Sequence, residues 1–167
     1  MVPAITRTAK IEVRAPADAA FAVVTRDIVA VDDDPESLQG HRPLMDGPVR
    51  EGFRWRQTLV HERKMCRTDW LVTEAKPPWR LEQTMEHLCA VTRRELFGGE
   101  RWELEVASDG STLVTLRSWW QKPGLRGWLE KIAGLVLGNG SDVSLKRRLA
   151  YVQFEAEQDF SGRHQRG

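Results

Sequence analysis

Between residues 52 and 121 the chain alternates polar and apolar side chains in a succession of short runs, and this period of two restricts the fold more than any other feature. In the clearest run, residues 79–87, the even positions are arginine, glutamate or threonine. Such alternation is typical of a β-strand with one buried face. Short turns, such as Asp109-Gly110, separate the runs, and short turns require antiparallel neighbours. The sequence therefore predicts an antiparallel sheet, with Gly98-Gly99 as a turn or a bulge.

Helical patterns precede and follow the predicted sheet in the sequence. Residues 9–14 form a further alternating run, and Pro16 then suits the first turn of a short helix through residues 19–24. From Leu125 onward, apolar residues recur at helical spacing towards the C-terminal end. Gly138-Asn139-Gly140 interrupts this pattern, which predicts a kink or a break between two helical pieces.

The composition is that of an ordinary globular chain and points to one domain. Of the 167 residues, 41% are hydrophobic and 29% are charged, and the net charge is +1. This balance requires no nucleic-acid partner, and the basic cluster Lys146-Arg147-Arg148 is interpreted as a solvated helix face. We predict a single domain over residues 1–160 and a flexible tail over residues 161–167.

The sequence predicts a cytoplasmic protein. Residues 1–10 lack the apolar core of a signal peptide, and no apolar run approaches the ~20 residues of a transmembrane helix. Cys66 and Cys89 lie outside any CxxC pair and are interpreted as reduced thiols, with a bridge between them left open. A monomer and a homodimer both fit these observations.

Five stretches of the chain, in their order and spacing, resemble the SRPBCC superfamily, which includes START domains, Bet v 1-like proteins and the small bacterial polyketide cyclase/dehydrase group. They are IEVRAPADAAF at residues 11–21, GPVREGFRWR at 47–56, VTEAKPPWRL at 72–81, GSTLVT at 110–115 and LKRRL at 145–149. The resemblance implies an α+β helix-grip fold: a curved antiparallel sheet wrapped around a long C-terminal helix, with two short helices after the first strand. The Asp32-Asp33-Asp34 loop and the Gly138–Gly140 interruption depart from the family pattern, near the expected mouth of its cavity.

In this family the inward strand positions and the long helix enclose a cavity, and we expect ten residues to line it. Such a wall is mostly hydrophobic with a few polar groups, and the seven tryptophans supply bulky surfaces for it. The predicted ligand-binding residues are Trp55, Gln57, Leu59, Leu81, Gln83, Met85, His87, Trp102, Trp128 and Ile132. The alternative is a filled core in which Gln57 and Gln83 bond to each other or to water. Two inward glutamines are costly in a dry core, which favours the cavity.

The sequence contains no recognisable catalytic motif, and no catalytic residue is predicted. Free imidazole titrates near neutrality, so His61 and His87 are candidate acid–base groups, although a surface or structural role also fits their positions near strand ends. Resembling cyclases hold a polyketone with a cavity arginine, for which Arg67 and Arg117 are candidates whose facing the pattern leaves open. No metal-ligand cluster and no nucleotide fingerprint is present, so no metal or cofactor is expected.

Three functional interpretations of the sequence are considered. The first is binding or carriage of a small hydrophobic ligand, such as a lipid, a polyketide or an aromatic metabolite, in the internal cavity. The alternative is a polyketide cyclase/dehydratase-like enzyme that uses polar cavity residues. An adaptor domain for a protein partner is a third reading, but the sequence shows no exposed apolar stripe to support it.

Overall fold

The computed structural model describes residues 5–29, 39–61, 64–89, 94–121 and 141–164. The elements are, in chain order, strand β1 (Ile5–Val13), helix α1 (Ala17–Val29), and strands β2 (Gln39–Pro43), β3 (Arg54–His61), β4 (Lys64–Lys76), β5 (Arg80–Cys89), β6 (Arg94–Val106) and β7 (Thr112–Gln121), followed by helix α2 (Ser141–His164). The predicted Asp-rich loop, the first part of the helical pattern (residues 125–137) and the Gly138–Gly140 interruption lie outside the described residues.

The seven strands form one antiparallel sheet in the order β1-β7-β6-β5-β4-β3-β2. Consecutive strands from β2 to β7 are neighbours, and β1 closes the row beside β7. Gly110, in the turn between β6 and β7, has a φ of 82°, a conformation that glycine adopts without a steric penalty. The antiparallel sheet and the long C-terminal helix predicted from the sequence are thereby confirmed.

The period of two divides the sheet into a buried face and a partly exposed face. Val72, Leu81 and Leu116 point to the buried face and have no exposed surface. The opposite face carries ion pairs between neighbouring strands, with Arg56 and Asp69 at 2.7 Å as an example. Opposite charges on facing strand positions stabilise a sheet. Because these side chains remain partly hydrated, this face of the sheet borders water.

Both helices cover the buried face of the sheet. Helix α2 buries Leu145, Leu149, Val152 and Ala156 at intervals of three or four residues, as expected for a helix with one apolar face. The helices are joined at their edges, where Arg26 of α1 forms ion pairs with Glu155 at 2.8 Å and Asp159 at 3.3 Å. The long helix is therefore held against both the sheet and α1.

Four details differ from the sequence-based prediction. One helix, not two, is present between β1 and β2 in the part of the chain that the structure describes. Strand β2 was not predicted, because its sequence, QGHRP, has no alternation. Helix α2 extends to His164, four residues into the segment predicted as a tail.

The fourth detail concerns Gly98 and Gly99, which lie inside strand β6 rather than in a turn. A Cβ atom at Gly99 would stand 2.5 Å from the Trp119 ring, and one at Gly98 would stand 2.8 Å from Cε of Met85. Glycine is needed at these positions because neighbouring side chains lie directly on the backbone. Trp119 covers one face of the strand pair, and Trp120, the next residue, points to the other.

Candidate ligand cavity between the sheet and the C-terminal helix

A cavity of about 420 Å³ lies between the buried face of the sheet, the second half of α1 and the first half of α2. Its volume falls in the range of small-molecule sites, roughly 300–1,000 Å³. The lining residues are Val24, Ile28, His41, Trp55, Gln57, Trp70, Gln83, Glu100, Trp102, Arg147, Arg148, Tyr151 and Val152. Five of them carry aromatic rings, and the charged ones lie on β6 and α2.

One wall of the cavity consists of stacked aromatic rings. Trp55 and Trp70 are register partners on β3 and β4, and their rings lie parallel, within 1°, at a centroid distance of 5.0 Å. His41 of β2 packs against the other side of Trp55, with the ring centroids 4.3 Å apart. These three rings hold one another in place and form a rigid, largely apolar part of the cavity wall.

The polar floor of the cavity is organised around the carboxylate of Glu100. The residue is 2% exposed, and its Oε1 accepts hydrogen bonds from Nε2 of Gln83 at 2.8 Å and from Nε1 of Trp102 at 3.0 Å. Arg148 of α2 donates to both carboxylate oxygens, at 2.5 and 2.8 Å. Oε1 of Gln83 in turn accepts from Nε1 of Trp55 at 2.9 Å. A continuous network thus joins three strands of the sheet to the C-terminal helix.

Burial acts on Glu100 to raise its pKa, because the charged form loses its hydration. The guanidinium of Arg148 and the donors of Trp102 and Gln83 oppose this effect and outweigh it, so that the pKa of Glu100 is lowered below its ordinary value. The group is therefore a carboxylate at neutral pH. Since Glu100 already accepts four hydrogen bonds, it is poorly placed to take a proton from a bound molecule.

Arg148 also contacts the aromatic wall. Its guanidinium carbon lies 5.1 Å from the centroid of the Trp102 ring, within the range of a cation–π interaction. Its side chain is 45% exposed, so the charge is shared between the buried carboxylate and water at the edge of the cavity. Arg148 is thereby fixed at the junction of α2 and the sheet.

Four of the ten predicted ligand-binding residues line this cavity: Trp55, Gln57, Gln83 and Trp102. Leu81 lies instead in the core, with no exposed surface, and is not among the lining residues. Met85 lines a second groove of about 600 Å³, whose other residues include Leu71 and Trp119 of the opposite sheet face. Whether the four lining residues bind a ligand stays a prediction.

For the remaining predicted ligand-binding residues, the structure describes the backbone alone or nothing. Leu59 lies in β3 and His87 in β5, but the structure describes only their backbones. Trp128 and Ile132 lie outside the described residues. The side chain of His61 is likewise not described.

The two arginines considered for a cyclase-like role are not in the cavity wall. Arg67 is exposed and forms an ion pair with Asp69 at 3.2 Å, and Arg117 is exposed opposite Arg101. Both alternate with inward-facing residues and therefore point to the other face of the sheet. The basic residue that does reach the cavity network, Arg148, belongs to the cluster interpreted from the sequence as a solvated helix face, and that interpretation is wrong for this residue.

The sequence carried a signal for Glu100 that the prediction did not use. Glu100, Trp102 and Leu104 occupy alternate positions of one strand and are all buried. Interpreting Gly98-Gly99 as a turn or a bulge placed the start of the next alternating run after Glu100, so this carboxylate was left out of the strand. His41 was missed for a related reason, since β2 was not predicted.

Two further observations describe the chain without identifying a ligand. No helix in the described ranges is both long and apolar enough to cross a membrane. Across the same ranges, no three histidine, cysteine, aspartate or glutamate residues gather into a potential metal site.

Comparison with known proteins identifies the fold. No protein-family model matches the chain, and no curated protein matches it in sequence. Solved structures do match: Ara h 8.0201, a Bet v 1-like protein, has a TM-score of 0.59 and 12% identity over 96% of this chain and 99% of its own. The KanY protein, solved by NMR, has a TM-score of 0.52 and 17% identity over 95% and 99% of the two chains.

An uncharacterised protein from Rhizobium leguminosarum matches to the same extent, with a TM-score of 0.55 and 16% identity over 95% of this chain and 99% of its own. These identities support a shared fold and no shared activity. The sheet topology, the long terminal helix and these structural matches together show that the chain has the helix-grip fold seen in Bet v 1-like proteins.

Proposed function

We propose that the chain binds a small hydrophobic ligand in the cavity between its sheet and α2. The observation that carries the proposal is the wall itself, in which the stacked pair Trp55–Trp70 and the ring of Trp102 border a space of about 420 Å³. Each square ångström of apolar ligand surface buried there contributes about 25 cal/mol to binding. Flat, rigid indoles offer this area with little loss of side-chain entropy.

The polar network supports binding rather than acid–base chemistry. Glu100 is buried, charged and fully engaged by Gln83, Trp102 and Arg148, so it holds the wall in one arrangement before a ligand arrives. A preformed site loses less entropy on binding than a site that must be ordered. The rival reading, a cyclase/dehydratase-like enzyme, requires a polar group with an unused donor or acceptor aimed at a substrate carbonyl. The buried Nε1 of Trp70, which lines the cavity and has no hydrogen-bond partner among the described residues, is the candidate donor for that reading.

The test is a titration with prodan, a neutral naphthalene dye whose emission shifts on entering an apolar site. Gln57→Phe adds an aromatic ring at a lining position of β3, and Thr58→Phe adds the same ring one residue along the strand, on the other face. We expect the wild type and Thr58→Phe to bind the dye with similar affinity, and Gln57→Phe to bind it about ten-fold more weakly. Absence of binding by the wild type, or equal binding by all three proteins, contradicts the proposal.

The same samples distinguish the rival reading. Incubation with an aromatic polyketone and analysis of the mixture by mass spectrometry measures turnover directly. Binding without chemical change supports the carrier reading. Conversion of the polyketone that is lost in Gln57→Phe supports the enzyme.

A further inference from the structure

We propose that the ligand is a planar aromatic acid whose anionic group is held by Arg147 at the edge of the cavity. The inference rests on the proposed function and adds the chemical class of the ligand. It follows from the charges of the cavity wall, from the position of Arg147 and from the shape of the aromatic surface.

Among the described residues, the cavity wall carries more arginine than carboxylate side chains. Apart from His41, its acidic and basic lining residues are Glu100, Arg147 and Arg148. Glu100 and Arg148 neutralise each other through two hydrogen bonds of 2.5 and 2.8 Å. Of the described lining residues, Arg147 is therefore the one whose guanidinium is left for a ligand to neutralise.

An anion can reach Arg147 without losing all of its hydration. The residue is exposed and yet lines the cavity, so its position is at the edge rather than in the floor. No ion pair or hydrogen bond joins its side chain to another described residue. Tyr151, four residues further along α2, lines the cavity from the same helix face.

The guanidinium geometry selects the anion. Its planar donors match the two oxygens of a carboxylate and form a bidentate pair, which is stronger and more directional than a single contact. At a partly exposed edge, the carboxylate retains part of its hydration while it pairs. A fully buried anion would first have to pay the full cost of desolvation.

The aromatic wall selects the rest of the molecule. Trp55 and Trp70 are stacked within 1° of parallel and line the cavity together as a rigid apolar surface, against which a rigid ring system buries more area than a flexible chain. A ring system also loses fewer rotatable bonds on binding. A flat apolar body with one carboxylate at its end therefore fits both parts of the site.

The test compares naphthoate with acetonaphthone, a neutral ketone of nearly the same shape, by displacement of prodan. Three proteins are used: the wild type, Arg147→Gln, and Lys146→Gln as a matched control. Lys146 is an exposed cation on the same helix, next to Arg147, but it does not line the cavity. The two variants thus remove the same charge at adjacent positions.

We expect the wild type and Lys146→Gln to bind naphthoate about ten-fold more tightly than acetonaphthone, and Arg147→Gln to bind the two alike. The preference should also shrink as the salt concentration rises, because Arg147 is exposed. A preference that survives in Arg147→Gln, or that disappears equally in Lys146→Gln, overturns the assignment.

The outcomes separate this inference from the function on which it rests. Displacement of prodan by acetonaphthone, with no preference for naphthoate in the wild type, overturns the inference and leaves the binding function standing. Failure of the wild type to bind prodan or either naphthalene overturns both. Since Arg147 is exposed, Arg147→Gln should unfold at the temperature of the wild type, and circular dichroism checks this before the titrations.

Discussion

Glu100 of the sheet and Arg148 of the terminal helix form a two-point ion pair, with N–O distances of 2.5 and 2.8 Å. The two partners differ in their surroundings, because the carboxylate is buried and the guanidinium is partly in water. This asymmetry makes the consequences of removing either partner unequal. The ion pair lies where the helix meets the cavity.

Removal of Arg148 should cost more stability than removal of both partners. Arg148→Met leaves a buried carboxylate without its cation, and we expect the free energy of unfolding to fall by about 3 kcal/mol. The double variant Glu100→Gln/Arg148→Met should recover part of this loss. Urea unfolding of the four corners of the cycle measures the difference.

The control for this cycle is the ion pair between Arg101 and Glu82 on the opposite sheet face, where both side chains are partly exposed. Arg101→Met should reduce the free energy of unfolding by about 1 kcal/mol or less. Equal losses from Arg101→Met and Arg148→Met would show that burial of Glu100 has no special energetic effect.

The stability of the fold should depend on Glu100 in acid. The pKa of this group is lower in the folded chain than its ordinary value of 4.5, so the folded state favours the carboxylate. Its contribution is therefore complete above that ordinary value and is lost as the pH falls below it, towards the folded-state pKa. Glu74 and Asp109, whose pKa values are also lowered, add to the acid dependence of both proteins compared.

The measurement is the free energy of unfolding as a function of pH for the wild type and Glu100→Gln. The wild type should lose stability more steeply in acid, and the two curves should converge as the pH decreases. Parallel curves throughout the acidic range would contradict the assignment of a lowered pKa to Glu100.

Gln83 should be needed to satisfy two buried partners. Its amide accepts from Trp55 at 2.9 Å and donates to Glu100 at 2.8 Å. Gln83→Leu leaves the indole N–H without its acceptor, and we expect a loss of about 2 kcal/mol. The added change Trp55→Phe removes the unpaired indole N–H and should restore part of that loss. Thermal unfolding measures the stability of both variants, and equal or lower stability of the double variant would contradict this prediction.

Gly99 should tolerate no side chain. Its Cβ would stand 2.5 Å from the carbonyl oxygen of Gln83 as well as from the Trp119 ring, so Gly99→Ala should destabilise the fold by about 1–3 kcal/mol. Gly40→Ala, also in a strand, is the control, because its nearest described neighbour would be Cβ of Thr58 at an ordinary 3.7 Å. Equal melting temperatures for the two variants would count against the close packing of Trp119 on β6.

The fold was predictable because it follows from local periodicity. Alternation in residues such as Leu81, Gln83 and Trp102 marks the strands whatever their partners, and the short turns fix an antiparallel order. Strand β2 escaped prediction because five residues containing a glycine and a proline carry no periodic signal. It pairs with β3 because the sheet offers an edge, which is a tertiary effect.

The aromatic half of the site was partly predictable, and the ionic half was not. Alternation along the strands predicts which residues face inward, and it correctly predicted that four of them line the cavity: Trp55, Gln57, Gln83 and Trp102. Glu100 and Arg148 are 48 residues apart, and each alone is typical of a solvated surface. Only the packing of α2 on the sheet brings the two charges together.

The most direct test of the binding cavity is the nitrogen–proton NMR spectrum of the tryptophan indoles during addition of prodan. The indole signals of Trp55, Trp70 and Trp102 should shift, because their rings line the cavity, while those of Trp79, which is 50% exposed, and Trp119 should stay in place. Shifts confined to Trp79 and Trp119, with the cavity indoles unmoved, would contradict the account.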